Sequence, residues 1–195
     1  LGPSDVYNST TGKIWMDRNL GATQVANSST DANSYGHLYQ WGRGTDGHES
    51  RTSSTTSTLS SSNTPGHSNF ILAPDSPNDW RSPQNGNLWQ GVTGINNPCP
   101  IGYRLPTLAE WDAERLSWST NNSAGAFASP LKLPVAGLRY ASDGSLDWVG
   151  SVGLYWSSTV TEDWITSRFL LFSSENARMS ANLRAYGYSV RCIKD

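Results

Sequence analysis

An α+β domain is the fold class this sequence predicts, on two patterns that follow each other along the chain. A capped helix start, Pro106-Thr107-Leu108-Ala109-Glu110, stands near the middle, and short β-like runs follow Pro130. Helical elements first and antiparallel strands afterwards is the α+β arrangement. A third observation supplies the core: nine Trp and eight Tyr in 195 residues, aromatic mass enough to order a polar chain.

In chain order, Lys13-Ile14-Trp15-Met16-Asp17 reads as a strand. Tyr35, Leu38 and Tyr39 fall at helical spacing, which fits a short helix in the cluster Tyr35-Gly36-His37-Leu38-Tyr39-Gln40-Trp41. Residues 50–68 are rich in Ser and Thr and interrupted by Pro65-Gly66. Such a stretch cannot bury a core and reads as a long surface loop. Thr107 can cap the amide of Glu110 while Glu110 reaches back, a capping box that starts a helix running to about Ser117. It would bury Leu108 and Trp111. The runs 131–140, 153–159, 168–172 and 188–193 then read as strands, with hairpin-type residues between them. No internal repeat and no linker divides the chain, so a single domain over 1–195 is expected.

Composition narrows the function. Lys plus Arg is 14 against 16 for Asp plus Glu, a net charge of −2. That balance argues against nucleic-acid backbone binding, which needs a clustered basic surface. Ser, Thr and Asn supply 29, 16 and 15 residues, while lysine occurs only at 13, 132 and 194. This polarity without charge leans towards an exterior location. No apolar run approaches the roughly 18 residues that span a bilayer, so membrane insertion is not expected. No charged-then-apolar leader opens the chain, which fits a mature segment or a piece of a longer protein. Two cysteines, Cys99 and Cys192, allow either two buried thiols or one bridge. A bridge would close a loop of roughly 90 residues, worth about 4 kcal/mol in the chain-entropy model.

Several phrases occur together in a known order. Ile14-Trp15-Met16-Asp17-Arg18-Asn19-Leu20, Leu38-Tyr39-Gln40-Trp41-Gly42, Asn97-Pro98-Cys99-Pro100-Ile101-Gly102-Tyr103-Arg104-Leu105-Pro106-Thr107 with Glu110-Trp111, Tyr155-Trp156-Ser157-Ser158-Thr159 and Ser189-Val190-Arg191-Cys192 resemble the Fibrobacter-type major paralogous domain family. That family is similar to the C-type-lectin-like fold shared with formylglycine-generating enzymes. Within it, Tyr39-Gln40-Trp41-Gly42-Arg43 followed by Asp46-Gly47-His48, and Asp79-Trp80-Arg81-Ser82-Pro83, resemble the calcium-dependent peptide-binding domains of bacterial RTX adhesins. The resemblance implies an extracellular module on a bacterial surface, monomeric within a longer chain, that holds peptide or protein C-termini on other cells. It also implies a Cys99–Cys192 bridge, since both cysteines stand in family phrases.

No chemistry of catalysis is legible. His37, His48 and His67 form no metal-binding spacing, and no nucleophile elbow, P-loop or dinucleotide glycine pattern is present. Calcium is better supplied, because hard cations take oxygen ligands from loops. Asp75-Ser76-Pro77-Asn78-Asp79 and Thr161-Glu162-Asp163 make Asp75, Asp79, Glu162 and Asp163 the expected Ca²⁺ ligands, with Asp46-Gly47-His48-Glu49 a further acidic group. Turn formation is the competing use of every such cluster. Among the tryptophans, Trp15, Trp111 and Trp156 sit on regular elements and are expected in the core. Trp80, Trp89, Trp148 and Trp164 sit in loops, where aromatics either line a binding face or hold the loops together.

A peptide carboxylate could complete a partly open calcium shell. Gln40 and Asn78 are expected to hydrogen-bond the peptide backbone, Trp80 to pack on a side chain, and Arg184 to serve as the fallback carboxylate partner in place of calcium. Two other readings stand beside this one: a carbohydrate-binding lectin-like module, disfavoured because the Glu-Pro-Asn and Gln-Pro-Asp sugar triplets are absent, and a structural surface domain without ligand. Fold alone does not choose among them.

Overall fold

Residues near the two ends of the chain share one sheet in the computed structural model, which describes residues 1–195. Strands β1 (Asp5–Asn8) and β2 (Lys13–Met16) form a hairpin. The last strand, β13 (Ile193–Lys194), lies between β2 and β6 (Tyr103–Arg104), giving the antiparallel order β1-β2-β13-β6. Cys192 precedes β13 and Cys99 precedes β6, and the two are disulfide-bonded. The remaining sheets are, in spatial order, β11 (Ala177–Leu183), β10 (Thr166–Phe172) and β9 (Gly153–Val160); β3 (Tyr39–Gln40), β12 (Gly187–Tyr188), β7 (Leu138–Arg139) and β8 (Leu146–Asp147); and the short parallel pair β4 (Thr55–Thr56) and β5 (Phe70–Ile71). With two short helices, α1 (Leu108–Leu116) and α2 (Ser123–Ala128), the chain is a mixed α+β domain built mostly of antiparallel strands.

The capping box forms as the sequence predicts. Thr107 accepts the amide of Glu110, and Glu110 accepts the amide of Thr107. Glu110 also takes both terminal nitrogens of Arg104 at 2.8 Å, tying the helix start to β6. On the inner face, Trp111 is wholly buried and its indole donates to the Trp156 carbonyl.

Strands β9, β10 and β11 are the longest in the fold, at eight, seven and seven residues. Alternation along them separates two cores. Tyr155, Leu170 and Phe172 face Trp15, Trp111 and Trp118. Trp156, Phe169 and Leu154 face Trp41, Trp80, Trp89 and Tyr188.

Several local expectations are corrected. No helix forms at 35–39: a 3-10 turn occupies Ala32–Ser34, and Tyr39–Gln40 is strand β3, paired with β12 (Gly187–Tyr188). Within 131–140 only Leu138–Arg139 (β7) pairs as strand, because Pro134 has no amide to donate and Gly137 turns the chain at φ 73°. The run 188–193 divides between β12 and β13. The stretch 50–68 carries β4 (Thr55–Thr56), paired with β5 (Phe70–Ile71), and Ser60 bridges to Arg81. Strands β1, β8 (Leu146–Asp147) and β11 and helix α2 have no counterpart in the sequence reading.

Candidate functional site

A polar cleft of about 380 Å³ opens on the segment 75–84, walled by Leu59, Pro77 and Pro83 and lined by Asp75, Asp79, Arg81 and Gln84. Its loop contains two cis peptide bonds, Ser76–Pro77 and Ser82–Pro83. Between them Trp80 anchors the loop: it is fully buried, and its indole donates to the Trp41 carbonyl at 2.7 Å. The backbone beside it is held by Ser60, which donates to the Trp80 carbonyl and accepts the Ser82 amide.

With Trp80 turned inward, Asp79 is drawn to the inner wall and is 3% exposed. One carboxylate oxygen accepts the Arg81 amide at 3.1 Å and the other accepts Gln84 Nε2 at 2.9 Å. Burial pushes the Asp79 carboxyl above the ordinary carboxylate range, against the opposing pull of Gln84, the Arg81 amide and Arg184. Asp75 is exposed at the outer wall.

The hairpin between β9 and β10 seats against this loop. Gln84 Nε2 donates to the Ile165 carbonyl at 3.0 Å, and Arg184 Nη2 donates to the Trp164 carbonyl at 2.6 Å. Gly86 permits the approach, since a Cβ there would lie 2.6 Å from the Trp164 ring.

Of the four expected calcium ligands, the fold therefore brings Asp75 and Asp79 into one cleft. Glu162 and Asp163 are exposed on the neighbouring hairpin and do not line it. Asp163 closes its own turn, accepting the Thr161 hydroxyl and the Ile165 amide.

The expected ligand contacts fare differently. Gln40 is wholly buried: its amide donates to the Ile71 and Ala185 carbonyls and its oxygen accepts the Ile71 amide and Arg43. All its hydrogen-bonding capacity is spent inside the protein, which corrects its assignment to a ligand backbone. Asn78, at φ 56°, donates its side-chain amide to the Ala73 carbonyl. Trp80 has no face free to pack on a ligand. Arg184 is buried behind the cleft, its guanidinium over the Trp41 ring at 4.8 Å, and it reaches the site only through Asp79. Gln84 and Leu59 line the cleft and were absent from the sequence reading, and Arg81, which stood in a family phrase without a ligand role, lines it as well; the residues Arg81-Ser82-Pro83-Gln84 directly after Asp79-Trp80 were the available signal.

The second acidic group, Asp46, His48 and Glu49, brings its ligand atoms within 4.8 Å of one another. Each is occupied by the protein. His48 Nε2 accepts the Gln40 amide and Nδ1 bonds Asp46 at 2.6 Å, Asp46 takes Arg43, and Glu49 accepts the Gly47 amide. Burial lowers the His48 pKa, which favours the neutral ring that this pattern requires. The group is a structural clasp on β3.

No helix is long and apolar enough to cross a membrane. No family model, curated protein or solved structure matches the chain.

Proposed function

We propose that this chain is a calcium-dependent peptide-binding module of a bacterial surface adhesin, a lectin-like domain that captures peptide C-termini in the 75–84 cleft. The observation that carries the reading is the pairing in one cleft of an exposed carboxylate, Asp75, with an inward one, Asp79, on a loop pinned by Trp80. Two carboxylates lining one cleft offer the hard oxygen donors that Ca²⁺ takes. Asp75 and Asp79 hold the ion, and a peptide's terminal carboxylate supplies further oxygens to its shell. Arg81 at the cleft wall gives that carboxylate a charge-assisted partner. The Cys99–Cys192 disulfide supports an oxidising, extracellular setting. The joining of both chain ends in one sheet, with the five family phrases, supports the lectin-like assignment.

The test uses synthetic peptides that differ only in a free or an amidated C-terminus, titrated in calcium and in chelator. Binding of the free acid in calcium alone is expected. Equal affinity for both peptides overturns carboxylate capture, and equal binding in chelator overturns the calcium.

A further inference from the structure

Trp148 is 45% exposed and held at φ 56° by the turn that follows β8. Its amide donates to Asp147, and its carbonyl accepts the amides of Ser151 and Val152 and the Ser151 hydroxyl. These bonds fix the Trp148 backbone, while its indole remains open to solvent. It stands at the edge of a second cleft, of about 270 Å³, which shares no residue with the 75–84 site.

The register of the three-stranded sheet builds the floor of this cleft. Phe169 pairs with Ser180, Leu171 with Arg178, and Ser167 with Asn182, so Arg178, Ser180 and Asn182 share the face of Phe169 and Leu171. Tyr140 and Tyr186 face them from the other side, ring to ring at 5.9 Å and T-shaped. The Tyr140 hydroxyl donates to Asp147 at 2.8 Å, so one carboxylate positions both Tyr140 and the Trp148 turn.

The lining chooses among ligand classes. Asn182 is bonded within the protein, its amide donating to the Tyr188 hydroxyl and its oxygen accepting the Leu183 amide. An apolar ligand would, however, strip water from Arg178 and Ser180 without replacing it, at a cost for each group left unmatched. A quaternary cation suits aromatic walls but would face the Arg178 guanidinium. A pyranose ring satisfies both kinds of wall. Its C–H faces lie on aromatic rings, and its hydroxyls exchange hydrogen bonds with the Ser180 hydroxyl and the Arg178 guanidinium. Aromatic side chains also have few rotamers to freeze on binding.

We propose that this cleft binds a single hexopyranose unit of a glycan, without a metal ion. The inference stands on different residues from the peptide site and does not depend on it.

The experiment titrates a panel of methyl hexopyranosides into the whole chain, following the Trp148 indole resonance by NMR, in calcium and again in chelator. At least one sugar is expected to shift that resonance saturably, and equally in both conditions. In Trp148→Ala, with the Tyr140 and Tyr186 ring resonances as the readout, binding should weaken by about tenfold or more. Ser180→Trp, which fills the cleft and leaves the aromatic wall, should abolish binding while far-ultraviolet dichroism and a cooperative thermal melt show the fold retained. The proposal is overturned if no hexopyranoside shifts Trp148 at tens of millimolar, if Ser180→Trp binds like the parent, or if tetramethylammonium binds and the sugars do not.

Discussion

Arg184 Nη1 lies 3.7 Å from the Asp79 carboxylate, with side chains 1% and 3% exposed. The guanidinium also donates to the Ser167 hydroxyl and the Trp164 carbonyl, so one buried cation ties the cleft loop, the β9–β10 hairpin and the Trp41 core together. Its Nη1 has no hydrogen-bond partner, and the separation from Asp79 exceeds hydrogen-bonding distance. Burial consequently outweighs pairing at Asp79, whose carboxyl is pushed up.

Asp79→Asn and Asp79→Ala should therefore differ. Asparagine keeps an acceptor for the Arg81 amide, whereas alanine strands that amide and Gln84, costing about 1–3 kcal/mol by urea denaturation. A raised folded pKa means that the native state holds the proton longer than the unfolded chain. Wild-type stability from this group is then greatest at low pH and is lost as pH rises through the raised value. Asp79→Asn should become more stable relative to wild type as pH rises through that window, and a variant that instead loses stability relative to wild type there contradicts the assignment.

Glu110 shows the opposite sign. Burial pushes its carboxyl up, but the Arg104 hydrogen bonds, the Thr107 amide and the charges of Arg104 and Lys13 hold it at about 2, below its ordinary 4.5. Its stabilisation is present above the ordinary value and is lost as pH falls towards about 2. Glu110→Gln preserves the capping box and removes the ion pair. It should cost about 1–2 kcal/mol at neutral pH, a partly screened charge-assisted bond, with the difference vanishing in acid.

Trp80 substitutions should act on stability. Trp80→Ala removes a wholly buried indole and should cost about 3–5 kcal/mol. Trp80→Phe keeps an aromatic ring but orphans the Trp41 carbonyl, for about 1–3 kcal/mol. If Trp80→Phe binds peptide more weakly with an unchanged urea midpoint, the indole belongs to the ligand surface after all.

Removing the disulfide should be costly because the crosslinked cysteines are 93 residues apart. The Cys99→Ser, Cys192→Ser double variant should lose about 4–5 kcal/mol in the chain-entropy model. Denaturant midpoints for the oxidised protein and the double variant measure it directly.

Calcium should raise the melting temperature, since a ligand that binds only the native state stabilises it by mass action, about 2.7 kcal/mol at a hundredfold excess over Kd. Asp75→Asn should abolish that rise. Identical melting in calcium and chelator for the parent chain removes the ion from the proposed mechanism.

Local signals in the sequence were legible where the forces are local. Thr107 and Glu110 meet across one helical turn, so their capping box is visible from spacing alone. Tyr155 and Trp156 alternate between two cores as β periodicity requires. The loop tryptophans were not separable: Trp80 and Trp89 are buried, while Trp148 and Trp164 remain exposed. All four stand beside similar small or polar residues, and nothing within a few positions distinguishes them.

The sequence by itself determined the α+β class, the start of helix α1, the central strands and an acidic loop at 75–79. Tertiary structure alone decided which polar groups remain available. Gln40 spends its amide on Ile71 and Ala185, partners 31 and 145 positions away, and Arg184 spends its charge beside Asp79. Capping and alternation depend on neighbours a few residues apart, whereas burial depends on distant segments arriving at the same place. A polar side chain is therefore marked as binding surface or as internal brace only when the fold has brought its partners to it.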